Sequence, residues 1–285
     1  MKTLLFFFLG MLLLGKTEDV LSLKMNSLGS VEDFNRTFRQ FYRLEKNSLQ
    51  AVFLGKSTMK WAVSPIQIYK DSNITTYNLA TNKQPIQASC YLLQEVFENQ
   101  SPEIIFCDIS ALFENTEEDS AWHIVMDNTP MNRNKVSTAV SLAERKADGK
   151  GSGSLSRVFL SIMSPLYFYH NRWEGLVQSD FNKPENPDFD YMAGYYMTSA
   201  VTGTGLTFEN VNAEVKALEA SKGFKREYCV GAYKEYEIDK KLYQVTPDES
   251  AVEYMTKMKE LCKAHDAELV MVKMPTIGMP QIYYA

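Results

Sequence analysis

Histidine and cysteine are scarce in this chain of 285 residues, and neither is spaced as in a metal site. The four cysteines, Cys90, Cys107, Cys229 and Cys262, lie far apart, without the close pairs that zinc sites and redox dithiols use. We expect buried thiols at these positions, with a disulfide as the alternative. No two of the three histidines have ligand spacing either. The sequence therefore predicts no metal and no other cofactor.

A basic surface is also missing. The chain has 30 Lys and Arg against 35 Asp and Glu, a net charge of −5, and shows no basic stripe interleaved with aromatic residues. This pattern argues against a nucleic acid as partner, because the phosphate backbone is bound mainly by Lys and Arg. Hydrophobic residues make up 45% of the chain, which is ordinary for a globular protein and excludes general disorder.

No apolar run is long enough to span a bilayer. The longest, Leu4 to Leu14, would form a helix of about 17 Å, against about 30 Å for the hydrocarbon core. We interpret it as the apolar part of a secretory signal or signal anchor, in preference to a core helix, because it has no polar face. No clear cleavage site follows. We expect residues 1–24 to be an anchor or signal peptide with a linker, and the protein to be extracytoplasmic, at the membrane or secreted.

Strand and helix patterns alternate along the rest of the chain. Short apolar or β-branched runs predict strands, and apolar residues at helical spacing or Ser/Thr caps followed by Pro predict helices. The predicted strands are 51–54, 75–79, 103–109 and 268–274, and the predicted helices are 64–69, 85–99, 132–145 and 246–261. Such alternation indicates a single α/β domain, residues 25–285, built around a mainly parallel sheet.

Residues 110–245 are less regular in pattern. They contain a glycine-serine segment at Gly149, Gly151 and Gly153 and many Tyr and Trp residues. We predict a large irregular insertion or cap on the carboxyl edge of the sheet, where α/β proteins bind ligands. His123 is assigned to a polar loop, and His265 to the end of an amphipathic helix in a structural role.

Gly55-Lys56-Ser57-Thr58 directly follows the first strand and has two interpretations. A phosphate-binding loop needs a glycine at position 50, which is Gln50, and the residues that should form the loop are the strand itself. The alternative is a nucleophilic Ser57 on the turn from strand to helix, with nearby backbone amides as an oxyanion hole. We favour the nucleophile.

Wider context supports that choice. The segments from Val52 to Pro65 and from Tyr77 to Pro85 resemble the SGNH/GDSL hydrolase superfamily, and more narrowly its membrane-anchored, cell-surface branch in Gram-positive bacteria. The resemblance continues through Met126 to Pro130, Tyr169 to Trp173, and the closing helix and strand. It implies a three-layer α/β/α sandwich with the flavodoxin-like SGNH fold.

The resemblance also implies a chemistry. Ser57 would be the nucleophile, and the backbone amides of Ser57 and Lys83 would hold the oxyanion. The substrate-binding candidates are Asn82, Asn128, His170 and Arg172. For Asn128 a helix cap, and for His170 a packed aromatic cluster, are the alternatives that remain open. The implied function is that of a serine esterase or O-acyltransferase acting on an acylated cell-surface glycopolymer, with a membrane-bound acyltransferase as a further partner.

Three departures from the family pattern bear on activity. Lys56 replaces the usual Asp or small residue beside the serine, and Thr58 stands where close relatives often carry His. Lys83 stands where the family has a glycine, and a lysine resists a positive φ by roughly 1 to 2 kcal/mol. The Asp-x-x-His pair that activates the serine is absent, which we interpret as a sign of a C-terminally truncated chain. The competing hypothesis is a non-catalytic relative that binds glycan or a partner in a cell-envelope acylation complex.

Overall fold

The computed structural model describes residues 2–22, 37–113, 119–147, 152–181, 193–195, 244–245, 247, 249–274 and 283–284. Its centre is a four-stranded, all-parallel sheet with the order β2-β1-β3-β5. The strands of this sheet are β1 (Ala51–Leu54), β2 (Thr76–Asn78), β3 (Ile104–Asp108) and β5 (Glu268–Val272). A two-residue parallel pair, β4 (Gln244–Val245) with β6 (Tyr283–Tyr284), lies outside it. The α/β architecture predicted from the sequence is confirmed.

β1 has the bounds predicted from the sequence, and the other three strands of the sheet are shorter than predicted. The register aligns Ala51 with Thr76 and with Ile104, so the carboxyl ends of β1, β2 and β3 meet at one edge of the sheet. Thr75 and Glu103 precede the strands that were expected to include them, and β5 ends at Val272 instead of Met274. Near-continuous apolar content marks these strands because parallel strands are buried on both faces.

Helices connect the strands and cover both faces of the sheet. In chain order the described helices are α1 (Lys2–Leu21), α2 (Ser57–Ala62), α3 (Pro65–Ser72), α4 (Ile86–Asn99), α5 (Asp119–Met126), α6 (Arg133–Ala147), α7 (Ser152–Met163), α8 (Pro165–Tyr169) and α9 (Glu249–Ala264). Three 3-10 segments, Ile109–Phe113, His170–Gly175 and Gln178–Phe181, join some of them.

The two faces have separate apolar clusters. Val52, Leu54 and Ile105 pack with α4 and α9 in the larger cluster. Phe53 points to the opposite face, where its ring stacks on Phe106 at 4.8 Å between centroids and packs near α2 and α3. Alternate residues of one strand thus face opposite layers, as the two-residue period of a strand requires.

The predicted insertion is more regular than its composition indicated. Two described stretches of it, 119–147 and 152–181, contain α5 to α8 and two 3-10 segments and are here called the helical insertion. Gly153 of the glycine-serine segment lies inside α7, and Gly149 and Gly151 lie outside the described residues. Trp122 and Ile162 belong to the same apolar cluster as the sheet, so the helical insertion extends the core. Its place as a cap on the carboxyl edge stays a prediction.

Candidate active site

The site is assembled where the strand order changes direction. After β1 the chain builds β2 on one side, and it then returns to build β3 on the other side of β1. In open α/β sheets, ligands bind in the crevice outside the carboxyl ends of the strands at such a point. Ser57 follows β1 by three residues, and Asp108 is the last residue of β3.

Gly55 lets these two strand ends approach closely. Its φ is +150°, a conformation that side-chain-bearing residues rarely adopt, and a Cβ at this position would lie 2.5 Å from the Cβ of Asp108. A glycine is therefore required here by both backbone conformation and space. The chain reaches Lys56 and then Ser57 directly beyond this contact.

Ser57 is the first residue of α2, with Lys56 as its N-cap. The backbone amide of a first helical residue has no acceptor within the helix, and the helix dipole favours negative charge at this end. The Ser57 side chain is half-buried, and its hydroxyl makes no hydrogen bond with the residues the structure describes. A hydroxyl placed in this way is able to meet a ligand at the sheet edge.

Asp108 organises the turns around Ser57. Its carboxylate is fully buried and accepts three hydrogen bonds: from Thr58 Oγ1 at 2.8 Å, from the Ser110 backbone amide at 2.9 Å and from Ser110 Oγ at 2.7 Å. The carboxylate thus ties the first turn of α2 to the turn after β3. Sequence reasoning did not select Asp108; the available signal was an acidic residue ending a buried strand, with Ser110 two positions later.

Asn78, at the end of β2, hydrogen-bonds to the carboxyl-terminal part of α2. Its Nδ2 donates to the carbonyl oxygens of Met59 at 3.2 Å and Val63 at 3.1 Å, and its Oδ1 accepts from the Ala80 amide at 3.0 Å. Asn78 is completely buried, and the Ala193 carbonyl accepts its backbone amide at 2.9 Å. All these groups are satisfied, so Asn78 fixes α2 relative to the loop that follows β2.

The loop between β2 and α4 is held beside the end of β1. The Thr81 amide donates to the Gly55 carbonyl at 3.0 Å, and Thr81 Oγ1 donates to Gln84 Oε1 at 2.9 Å. Lys83 has a φ of +52°, the left-handed conformation that a glycine would take. Asn82 precedes it, and its Oδ1 is buried without a hydrogen-bond partner in the described part of the chain. Lys83 thus adopts the turn conformation that a glycine would take, at a steric cost that glycine does not have.

The other predicted binding residues lie in the helical insertion and have intramolecular contacts. Asn128 Nδ2 donates to the Ile124 carbonyl at 2.9 Å at the end of α5. His170 is exposed, with Nδ1 2.7 Å from the Tyr167 carbonyl. Arg172 donates to the Ser22 carbonyl at 2.7 Å and pairs with Asp180 at 2.7 Å. Within the described residues, the hydrogen bonds of these three side chains stay inside the helical insertion or reach the end of α1, and their roles in substrate binding stay predictions.

None of the three histidines hydrogen-bonds Ser57. His265 follows α9 directly, where it was expected, and its ring stacks on Phe97 at 4.1 Å between centroids. The assignment of His123 to a polar loop is wrong: it lies within α5 and is 1% exposed. Ala121, Trp122 and Val125 are core residues at helical spacing, so this segment is a helix with a buried face.

The described cysteines are buried free thiols. Cys90, Cys107 and Cys262 lie on α4, β3 and α9, and Cys229 lies outside the described residues. Burial raises the pKa of the Cys90 thiol to about 12 and that of Cys262 to about 11, and it also raises the pKa of Cys107. Within the described ranges, no group of three or more His, Cys, Asp or Glu residues is arranged to hold a metal ion.

α1 carries the apolar run of the N-terminus. It continues as a helix beyond Leu14 through the polar residues to Leu21, and the side chains of Phe6, Met11 and Leu13 are more than half exposed. Among the helices that the structure describes, none combines the length and the apolar content needed to cross a bilayer.

Comparisons with known proteins add no relative. No protein-family model matches the chain, and no curated protein or solved structure matches it.

Proposed function

We propose that the protein is an SGNH-like serine esterase or O-acyltransferase that acts on an acylated cell-surface glycopolymer. The observation that carries the proposal is the position of Ser57: its hydroxyl begins a helix at the carboxyl edge of a parallel sheet, at the point where the strand order reverses. Open α/β sheets bind ligands at this point, and a helix N-terminus favours a developing negative charge.

The arrangement supports an acyl-transfer role for three groups. Ser57 Oγ would attack the acyl carbonyl while its proton passes to a water molecule, and the carbonyl oxygen would gain negative charge next to the backbone amide of Ser57. The C–O bond of the ester would then break, and the alcohol would leave after taking up a proton from water. Lys83, in its left-handed conformation on the neighbouring loop, would present a second amide. Asp108 and Asn78 would act as positioning residues, because their hydrogen bonds hold α2 from both sides.

The strand order supports the finer fold. β4 belongs to the other sheet, so the four strands of this sheet have the order 2-1-3-4 when they are numbered among themselves. Flavodoxin-like sheets begin with the same order. Apolar clusters on both faces, with α4 and α9 on one side and α2 and α3 on the other, are those of an α/β/α sandwich. We therefore propose the flavodoxin-like SGNH architecture for residues 25–285.

A membrane location belongs to the same proposal. The apolar residues of α1 are exposed on several sides of the helix, including Leu5 at 57%, Phe6 at 72% and Leu13 at 68%. Exposed apolar surface of this extent is typical of segments that contact lipid or a partner. We propose that α1 enters the outer face of a membrane and holds the sheet domain near its glycopolymer, beside a membrane-bound acyltransferase.

A fluorophosphonate probe tests the enzymatic proposal, since it forms a covalent adduct with activated serines. We expect the wild-type chain to be labelled and Ser57→Ala not to be labelled. Ser64→Ala is the matched control: Ser64 caps α3 one turn beyond α2, and its Oγ accepts from the Gln67 amide at 3.3 Å. The control should retain labelling. Equal labelling of Ser57→Ala and wild type would refute the proposal.

A non-catalytic role is the second candidate, and one observation favours it. All three histidines of the chain are described, and each has contacts away from Ser57, so the usual partner that removes the serine proton is not beside it. In this role the protein would bind glycan or a component of an acylation complex. Glycopolymer binding by Ser57→Ala at wild-type affinity, together with no labelling of the folded wild type, would favour this candidate.

A further inference from the structure

A buried histidine and aspartate join three helices of the helical insertion. His123 of α5 is 1% exposed, and its Nδ1 lies 2.9 Å from Asp127 Oδ1 one turn later. Its Nε2 lies 2.6 Å from the carbonyl oxygen of Ser161 in α7. Its ring stacks on that of Phe168 in α8, with 3.9 Å between centroids. One side chain therefore connects α5 with α7 and α8.

Both ring nitrogens of His123 face acceptors. A backbone carbonyl can only accept, so Nε2 must carry a hydrogen to bond Ser161. An ionised Asp127 carboxylate can also only accept, so Nδ1 must carry a second hydrogen. The observed geometry thus requires one proton more than a neutral imidazole beside an ionised carboxylate would supply. Loss of that proton removes the Nδ1 hydrogen bond and leaves a lone pair facing Asp127.

Within the described part of the chain, the charged and titratable groups near the pair come from α8, α6 and the adjoining 3-10 segment. Tyr169 of α8 packs edge-on to the His123 ring at 5.4 Å and also interacts with Asp127; burial and Asp127 raise the pKa of Tyr169, so it stays a donor. Lys135 of α6 interacts with Asp127, and burial lowers the pKa of Lys135. Arg172 interacts with Tyr169 from the adjoining 3-10 segment. From α7, the contact with the ring is the Ser161 carbonyl.

The segment that packs on His123, α8 with the 3-10 segment after it, also contacts the carboxyl end of α1. Arg172 follows Tyr169 by three residues, and its guanidinium donates to the carbonyls of Leu21 and Ser22 at the end of α1. Asp180 fixes the guanidinium from the other side at 2.7 Å. We propose that His123 and Asp127 form a proton-dependent latch that seats α8 on the helical insertion and thereby docks the end of α1.

The direction of the pH dependence follows from the hydrogen bonds. The latch is complete when both ring nitrogens carry hydrogens, and it weakens as the pH rises and the ring loses one of them. This inference is independent of Ser57, since no residue of the latch belongs to the candidate active site.

Hydrogen exchange of the full-length chain tests the latch. In His170→Asn/His265→Asn, His123 is the only histidine left, so the pH-dependent change is assigned to it. We expect the protection factors of amides 166–175 and of the end of α1, corrected for intrinsic exchange, to be about tenfold lower at alkaline than at acidic pH. The amides of α9 should change little.

Asp127→Asn is the matched variant. An asparagine amide can donate to Nδ1 of a neutral ring, so both His123 contacts survive without the extra proton, and the pH dependence should vanish while α8 stays protected. Ring ¹⁵N shifts at acidic pH should show two protonated nitrogens in the wild type. The latch is refuted by one unprotonated ring nitrogen at that pH, by pH-independent protection of residues 166–175, or by unchanged pH dependence in Asp127→Asn.

Discussion

At the scale of single residues, Lys83 shows what a lysine does at a position that favours glycine. Its φ of +52° resembles that of Asn73 at the end of α3, which is +58°. Asparagine adopts this conformation readily, whereas lysine adopts it at a steric cost. The loop around it is fixed by the bonds from Thr81 to Gly55 and Gln84. The surrounding contacts therefore impose the strain on Lys83.

Lys83→Gly should relieve that strain. We expect the free energy of unfolding to rise by up to about 1 kcal/mol, because glycine adopts a positive φ without steric cost while gaining some freedom in the unfolded chain. Chemical denaturation measures this change. Lys83→Ala is the control: it removes the same charge but keeps the Cβ, so it should give no increase. A gain in Lys83→Ala equal to that in Lys83→Gly would show that charge, not backbone conformation, is responsible.

At the scale of elements, the site depends on how closely the ends of β1 and β3 approach. Gly55 directly follows β1 and Asp108 ends the adjacent parallel strand β3, and the space between them has no room for a methyl group. The hydrogen bond from Thr58 Oγ1 to the Asp108 carboxylate connects this contact with the first turn of α2. We therefore expect a substitution at the end of β1 or β3 to displace Ser57 even when the new side chain does not contact it.

Gly55→Ala tests this coupling. The added Cβ would overlap the Cβ of Asp108 and would take a φ that alanine avoids, so we expect a loss of about 3 kcal/mol in stability. Urea denaturation gives the loss, and fluorophosphonate labelling of the protein that remains folded should fall as well. Gly175→Ala is the control, since a Cβ there meets nothing within 4 Å. Equal stability of the two variants would contradict the close approach of β1 and β3.

Local signals predicted the elements better than they predicted the contacts between them. Ser64 and Pro65 indicated the start of α3, and Ser64 Oγ does accept from the Gln67 amide, because a cap depends on neighbours in sequence. Asp108 was missed because its role depends on Thr58, fifty positions earlier. His123 was misplaced because a helix of 8 residues gives only a short periodic pattern in the sequence. A contact between residues that are distant in sequence, unlike a helix cap, gives no local signal in the sequence.

At the scale of the whole molecule, one apolar cluster joins the sheet, α4, α9 and the helical insertion. The three described cysteines belong to it: Cys90 on α4, Cys107 on β3 and Cys262 on α9. Because burial raises the pKa of each thiol, the reactive thiolate is suppressed in the folded protein. Their chemistry should therefore report on opening of the core.

In Cys229→Ser, only these three thiols remain for a disulfide reagent such as dithionitrobenzoate. At about pH 8 we expect them to react at least about a hundredfold more slowly in the folded protein than in guanidinium, since thiolate formation and access both require opening. Rapid reaction of any of the three in the folded state would show that the cluster is open at that position. Circular dichroism before the assay checks that the variant is folded.

The central claim is that Ser57 presents a reactive hydroxyl at the carboxyl edge of the sheet. The most direct measurement is peptide mass spectrometry of the full-length chain after treatment with a fluorophosphonate, which identifies the modified residue. Our account predicts one adduct per chain, on Ser57, and none after unfolding in urea. An adduct on a different residue, or no adduct on a chain that unfolds cooperatively on heating, would contradict it.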